Sequence, residues 1–310
     1  MIEGQYSVSA SPQAAIDSLV APISEQLAVL HARGLEPGLY VVPTPIGNLS
    51  DITIRALHML TAVHTIFAED TRHSARLLQH YRISTRVRPY HDHSSEAQRS
   101  GVVEKIASGH AVALISDAGT PLISDPGFKL ARDVLDAGFP VVSLPGPSAV
   151  LPALTSSGLP TDAFCFLGFL PNKSAARRKR VEVFREFDAT LVFYEAPGRM
   201  ASSLQDLAEV LGPREACVVR ELTKQYEEVV RAPLPELAQI FDDRDVRGEC
   251  VIVVGPPSEL ATVTDDMISE RLLDVLSDHS VRDATRLVMD ELRLPRNRVY
   301  RLALALSRAS

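Results

Sequence analysis

The sequence predicts an α/β protein: two domains of alternating strands and helices, followed by a small all-helical module. Three observations carry this. Short apolar runs recur along 39–254, and most are followed by turn formers and then a helical pattern. The length of 310 residues suggests about two domains. Residues 264–310 carry helical spacing only. Boundaries are expected at 1–37 for an N-terminal extension, 38–158 and 159–257 for the two α/β domains, and 264–310 for the helical module.

In chain order, residues 14–31 place Ile16, Leu19, Val20, Ile23, Leu27 and Leu30 at helical spacing, as a packing helix or a mobile arm. Residues 39–42 read as a buried strand. The stiff loop 43–48 follows, and Ser50 or Asp51 is the expected cap of the next helix. Strands are expected at 65–68, 86–90, 111–116 and 141–144, with helices at 74–81, 95–108 and 128–137 between them. Pro145-Gly-Pro-Ser148 opens another helix. After Gly158-Leu-Pro160, strands read at 164–170, 190–194, 216–220, 227–231 and 250–254. Two of these lack an obvious helix between them, which points to a mixed sheet. Residues 266–276, 280–292 and 296–307 are three short helices, with Ser280 a cap.

Composition narrows the function. Apolar residues make up 45% of the chain and mean hydropathy is positive, as in a globular core. No apolar run reaches the ~20 residues of a membrane span, and no secretory signal pattern is visible. Cys165, Cys217 and Cys250 lie far apart in apolar runs, as buried thiols of a cytoplasmic protein rather than a zinc set. The net charge of −7 argues against a general nucleic-acid coat. Charge is unevenly distributed, however: residues 281–310 hold seven arginines against three acids. Arg293, Arg296 and Arg301 there suit an RNA-binding appendage, or equally a solvated cap. Lys173, Arg177 and Arg178 belong to a run of five cations in eight positions, a solvated face or a phosphate contact.

The chemistry-bearing stretch is 111–127. A buried strand runs into Ser116, Asp117, Gly119, Thr120, Pro121, Asp125, Pro126 and Gly127. A polar loop at the carboxyl end of a parallel strand is where open α/β sheets bind ligands. It also reads as a long connection with Asp125 capping the next helix. Neither GxGxxG nor a Walker A sequence is present, so an ordinary dinucleotide or P-loop site is not expected. His91-Asp-His93 is a weak metal candidate; polar loop or substrate contact is the preferred reading, and no metal is expected. Glu69-Asp70-Thr71-Arg72 reads three ways: a local ion pair, a helix N-cap, or a cleft-facing site. Arg220-Glu221-Leu222-Thr223-Lys224 repeats the theme at a later strand end.

These words resemble the small-subunit ribosomal RNA methyltransferases of the tetrapyrrole-methylase-like, class III group. The resemblance rests on Pro43-Thr-Pro-Ile-Gly-Asn-Leu-Ser-Asp-Ile-Thr53, Ala68-Glu-Asp-Thr-Arg72, Ser116-Asp-Ala-Gly-Thr-Pro121, Asp125-Pro-Gly127 and Leu144-Pro-Gly-Pro-Ser148. It continues through Gly168-Phe-Leu-Pro171, Phe193-Tyr-Glu195 and Arg220-Glu-Leu-Thr-Lys224. It covers about 38–255, and the helical module also fits. It implies two α/β domains of the tetrapyrrole methylase type with S-adenosylmethionine in the cleft between them, a homodimer, and the small ribosomal subunit as partner. The implied reaction is methylation of the ribose 2′-hydroxyl of a cytidine in 16S rRNA. By the same resemblance Pro45, Ser116, Asp117, Thr120, Ser148, Ala149, Tyr194, Gly248 and Glu249 are expected at the methyl donor. Pro43 to Asn48 replaces the glycine-rich first loop of tetrapyrrole methylases, which favours the RNA branch.

A 2′-hydroxyl is a weak nucleophile, so a nearby base is expected beside the in-line geometry. Candidates are Asp70, Glu221 and Lys224, with Arg72 orienting a phosphate or carboxylate. A small-molecule methyltransferase of the tetrapyrrole class and a non-catalytic ribosome-binding protein are the rival functions.

Overall fold

The computed structural model describes residues 12–91, 94–257, 265–292 and 296–309. Helix α1 (Pro12–Ala32) leads in with an internal Pro22; Leu27 and Leu30 are half-buried, whereas Ile16, Leu19 and Val20 are exposed. It packs beside α2 (Ile54–Ala62).

Five strands, β1 (Gly38–Val41), β2 (Thr65–Ala68), β3 (Val87–Pro89), β4 (Ala111–Ile115) and β5 (Val141–Ser143), form one sheet in the order β3-β2-β4-β1-β5. Every pair is parallel. The helices between them are α2, α3 (Thr71–His80), α4 (Glu96–Ala107) and α5 (Phe128–Asp136). Strand alternation sorts the core. Ala113 and Ile115 of β4 join Met59 and Leu60 of α2, while Val112 and Leu114 join Ile106 of α4 and Leu130 of α5. The chain leaves β1 toward β2 on one side and leaves β4 toward β5 on the other. That reversal between adjacent strands is a topological switch point, where a crevice opens at the carboxyl ends.

The second sheet contains β6 (Phe164–Phe169), β7 (Thr190–Glu195), β8 (Glu215–Arg220), β9 (Glu228–Pro233) and β10 (Cys250–Val254), ordered β6-β7-β10-β8-β9. Only β6 and β7 run parallel, so the sheet is mixed as expected. Helices α7 (Ser174–Glu182), α8 (Met200–Leu211) and α9 (Leu234–Asp242) contribute to the core on one face. The other face packs Val192, Cys217, Val219 and Val253 against Ile46 and against Val150, Ala153 and Leu154 of α6 (Val150–Ser157). Helix α6 and the first loop therefore press the first sheet's carboxyl edge onto the second sheet.

Helices α10 (Asp265–Leu276), α11 (Val281–Leu292) and α12 (Arg296–Ala309) enclose their own core of Ile268, Leu272, Ala284, Val288, Val299 and Ala303. Ser280 accepts from the Asp283 N–H, as its expected cap role requires.

Three local expectations are corrected. Thr53, not Ser50 or Asp51, caps α2, because its side chain accepts from the Ala56 N–H. Helix α3 starts at Thr71, three residues early, because Asp70 caps it. Gly127, not Asp125, is the N-cap of α5, and no side chain bonds there.

Candidate functional site

Four loops meet at the crevice and are tied together by hydrogen bonds. Thr44, after β1, exchanges both backbone bonds with Gly119, after β4, each at 2.9 Å. The Thr44 hydroxyl also donates to the Ser116 carbonyl at 3.1 Å. Thr120 Oγ1 donates to the Pro147 carbonyl, after β5, at 2.9 Å. The Asp117 carboxylate accepts the Asp70 N–H, after β2, at 3.0 Å. Leu122 (φ 74°) and Ser124 (φ 63°) hold left-handed backbone in this loop. Non-glycine residues there cost about 1–3 kcal/mol each and cluster at binding sites.

These loops form one wall of a cavity of about 470 Å³, within the range of small-ligand sites. The opposite wall comes from the second sheet: Phe169, Tyr194, Leu222, Glu249 and Val251. Tyr194 meets Phe166 and Phe169 edge-on. Burial, then the charges of Asp125 and Glu249, push its phenol up to about 12, so it stays neutral at physiological pH. Five carboxylates line this cavity (Glu69, Asp117, Asp125, Glu195 and Glu249), and among the described residues no Lys, Arg or His does. Glu195 is committed to structure: it accepts from Ser203 Oγ at 2.6 Å and pairs with Arg199 at 2.5 Å.

A second cavity of about 330 Å³ adjoins the first, sharing Ile46, Asp117, Ala118 and Glu249. Lys224 lines it, with Nζ 2.8 Å from Glu221 Oε1 and 2.9 Å from Glu249 Oε2. Burial lowers the Lys224 pKa, but hydrogen bonds to Glu221 and Glu249 outweigh it and hold the ammonium above the usual lysine range. The bond from Lys224 holds Glu221 below the usual carboxylate range. Two glycines make the cluster possible. A Cβ on Gly47 would lie 2.4 Å from Lys224 Cγ, and one on Gly248 (φ +85°) would lie 2.2 Å from Glu221 Oε1.

Of the residues expected at the donor, Asp117, Thr120, Ser148, Ala149, Tyr194, Gly248 and Glu249 line the first cavity. Pro45 and Ser116 line the second. Of the expected catalytic residues, Lys224 alone lines either cavity. Asp70 takes the helix N-cap reading of its stretch: its carboxylate accepts the Arg72 N–H at its own helix terminus, and Arg72 holds its pKa down. Arg72 has a 90% exposed side chain that pairs with Asp70. Held by Glu221 and Glu249, the Lys224 ammonium donates hydrogen bonds in this arrangement. Glu221 serves as its carboxylate partner.

The basic run is also revised. Arg177 is buried, with Nε 2.6 Å from Asp206 Oδ2 and further bonds to Pro171 and Ser202 carbonyls, so it cannot reach a phosphate. Arg178 pairs with Asp206 and Glu209. Lys173 and Arg296 are exposed. Arg301 is exposed and lies 3.5 Å from Asp265. Arg293 and the Asp92-His93 part of the metal candidate lie outside the described residues. Among the described residues, no three metal-ligating side chains converge.

Sequence reasoning missed Ile46, Phe169 and Leu222 as cavity walls and set Asp125 aside. The signal available for Asp125 was its place in the same polar loop as Asp117.

Residues 38–238 match the family model of Tetrapyrrole (Corrin/Porphyrin) Methylases. Ribosomal RNA small subunit methyltransferase I of Vibrio cholerae is 44% identical over 272 residues, 86% of this chain and 94% of its own length. The protein of that name in Pseudomonas aeruginosa is 43% identical over 274 residues, 86% and 96% of the two chains. The chain belongs to the tetrapyrrole methylase family. Solved structures share the fold. Uroporphyrin-III C-methyltransferase from Thermus thermophilus, complexed with S-adenosyl homocysteine, matches with a TM-score of 0.51 at 21% identity. It covers 73% of this chain and all of that one. Diphthine synthase matches with a TM-score of 0.56 at 15% identity, covering 70% and 89%.

The first cavity fits the family's methyl donor. S-adenosylmethionine carries a sulfonium and an ammonium, which the carboxylate-rich, cation-free lining suits. Its adenine needs an apolar slot, and Ile46, Phe169, Leu222 and Val251 supply one.

Proposed function

We propose that this protein transfers a methyl group from S-adenosylmethionine to the ribose 2′-hydroxyl of a cytidine in 16S rRNA, at cytidine-1402. The observation that carries the reading is the carboxylate-lined cavity opening onto a second cavity that contains Lys224. The names of relatives at 43–44% identity supply the acceptor class.

The bound donor supplies a methyl carbon already electrophilic through its sulfonium. The protein's work is then position and proton handling. Asp117, Asp125 and Glu249 attract the cationic donor, and Tyr194 walls it in. Lys224 donates a hydrogen bond to the acceptor oxygen from the junction of the cavities and stabilises negative charge there. Glu249, 71% exposed and bonded to Lys224, is the carboxylate placed to take the departing proton. Lys173, Arg178, Arg296 and Arg301 contribute peripheral phosphate contacts. The working form in this reading is a cytoplasmic homodimer, for which exposed Phe128, Leu135 and Phe164 offer apolar surface.

Labelled donor incubated with small-subunit particles, followed by mapping of the modified nucleotide, tests the reading. Label on one cytidine 2′-oxygen is expected; no transfer to rRNA overturns it. Lys224→Met is expected to lower kcat by about 100-fold, in the range of lost oxyanion donors, while donor Kd stays within a few-fold. Unchanged kcat removes Lys224 from the chemistry.

A further inference from the structure

The two cavities differ in charge, and the difference sorts two ligands. The first has five carboxylates, of which Glu195 is paired with Arg199, and no Lys, Arg or His among the described lining residues. The second sets His73, Arg76 and Lys224 against Asp117 and Glu249. Both of those carboxylates are already engaged, Asp117 by the Asp70 N–H and Glu249 by Lys224. Arg76 is then the cation of this lining that no ion pair joins to a described side chain.

Helix α3 supplies the unassigned part of this wall. His73, Ser74, Arg76 and Leu77 lie on it within little more than one turn. His73 and Arg76 are exposed, and no hydrogen bond or ion pair joins either side chain to another described side chain. Ser74 is buried, yet among the described residues its Oγ has no hydrogen-bond partner. A buried hydroxyl left unpaired costs about 1–3 kcal/mol, and such groups in native structures call for an explanation. A ligand oxygen in the second cavity provides one.

We propose that the second cavity seats the RNA strand at the acceptor ribose, with Arg76, His73 and Ser74 holding a backbone phosphate. This rests on the rRNA methyltransferase reading and adds where the strand lies. A guanidinium, an imidazole and a hydroxyl are a common phosphate-binding set. Phosphate on α3 places the neighbouring ribose toward Lys224 and Glu249, at the wall shared with the donor cavity. The anionic acceptor thus enters the chamber that holds Arg76 and Lys224, the cationic donor enters the carboxylate-rich one, and the two meet at Asp117 and Glu249.

Arg76→Ala, Arg76→Lys, His73→Ala and Ser74→Ala in the full-length protein test this. Three quantities are read: RNA Kd as a function of salt, KM for small-subunit particles, and Kd for S-adenosylmethionine. Arg76→Ala is expected to raise RNA Kd and KM about tenfold. It should also reduce the slope of log K against log salt by about one, as for a lost phosphate contact. Arg76→Lys should keep the slope. Ser74→Ala should raise KM with no loss of Tm, since the hydroxyl has no partner among the described residues. Donor Kd should remain within twofold throughout. Unchanged RNA affinity and slope in both Arg76→Ala and His73→Ala overturn the subsite, as does a parallel loss of donor binding. RNA binding is read without turnover. Failure of the wild type to methylate rRNA therefore sinks the functional reading, while the binding series still decides the subsite.

Discussion

At the scale of single residues, Asp206 shows how this chain treats a buried charge. Its carboxylate holds Arg177 at 2.6 Å, accepts from Ser174 at 2.8 Å, and joins α7 to α8. Removing one partner of a buried pair leaves the other uncompensated, typically at 3–5 kcal/mol. Asp206→Ala is expected to lose stability in that range by urea denaturation, with donor Kd unchanged in the folded fraction. The thiols offer a second residue-level test. Burial pushes Cys217 and Cys250 up to about 11, so little thiolate exists at pH 8. Iodoacetamide at pH 8 should modify neither at an appreciable rate until the protein unfolds. The Glu221–Lys224 pair fixes a pH window. Glu221 has a lowered folded pKa, so its contribution to stability is present above the unfolded value near 4.5 and is lost as pH falls through the folded one. Lys224 has a raised folded pKa, so its contribution is present below 10.5 and is lost as pH rises through the folded value. Acid titration of Tm should therefore show a smaller drop below pH 4.5 in Glu221→Gln than in the wild type.

At the scale of elements, the loop after β4 and the loop after β1 act as one unit, because Thr44 and Gly119 exchange their backbone bonds. Gly47 sits in that unit under the Lys224 stem. Gly47→Ala puts a methyl 2.4 Å from Lys224 Cγ and 3.1 Å from the Leu222 carbonyl, so the lysine must move. A misplacement of about 1 Å can cost about 10²-fold in rate. Gly47→Ala is expected to lower kcat far more than it alters donor Kd, measured by single-turnover methyl transfer; equal kcat would show that Lys224 tolerates displacement. The elements themselves were largely legible in the sequence. Strand β4 is a run of five apolar residues ended by turn formers, and parallel strands buried on both faces read that way. Helix starts were less legible. Thr53 competes with nearby Ser50 and Asp51 for the cap of α2, and local pattern alone does not choose among three capping residue types so close together.

At the scale of the whole molecule, the two sheets meet through α6 and Ile46, and the first cavity is lined from both of them. S-adenosylmethionine binding at the junction should stabilise both halves together. Thermal unfolding followed by near-UV and far-UV signals is expected to shift upward in parallel on adding the donor, the added stability being RT ln(1 + [L]/Kd). A shift confined to one signal would place the donor elsewhere.

The sequence by itself determined the α/β class, the strands of both sheets, the helical module and the polar loops that carry the site. Each is encoded within one short stretch, through periodicity and turn chemistry. Tertiary structure decided which of those charges face a ligand. Arg177 and Arg178 are neighbours in one basic run, yet one is sealed against Asp206 and the other remains partly exposed. Asp70 and Glu69 are adjacent, yet one caps a helix and the other lines the cavity. The physical reason is that burial and pairing depend on partners distant in sequence, such as Glu249 beside Lys224, which local pattern cannot place.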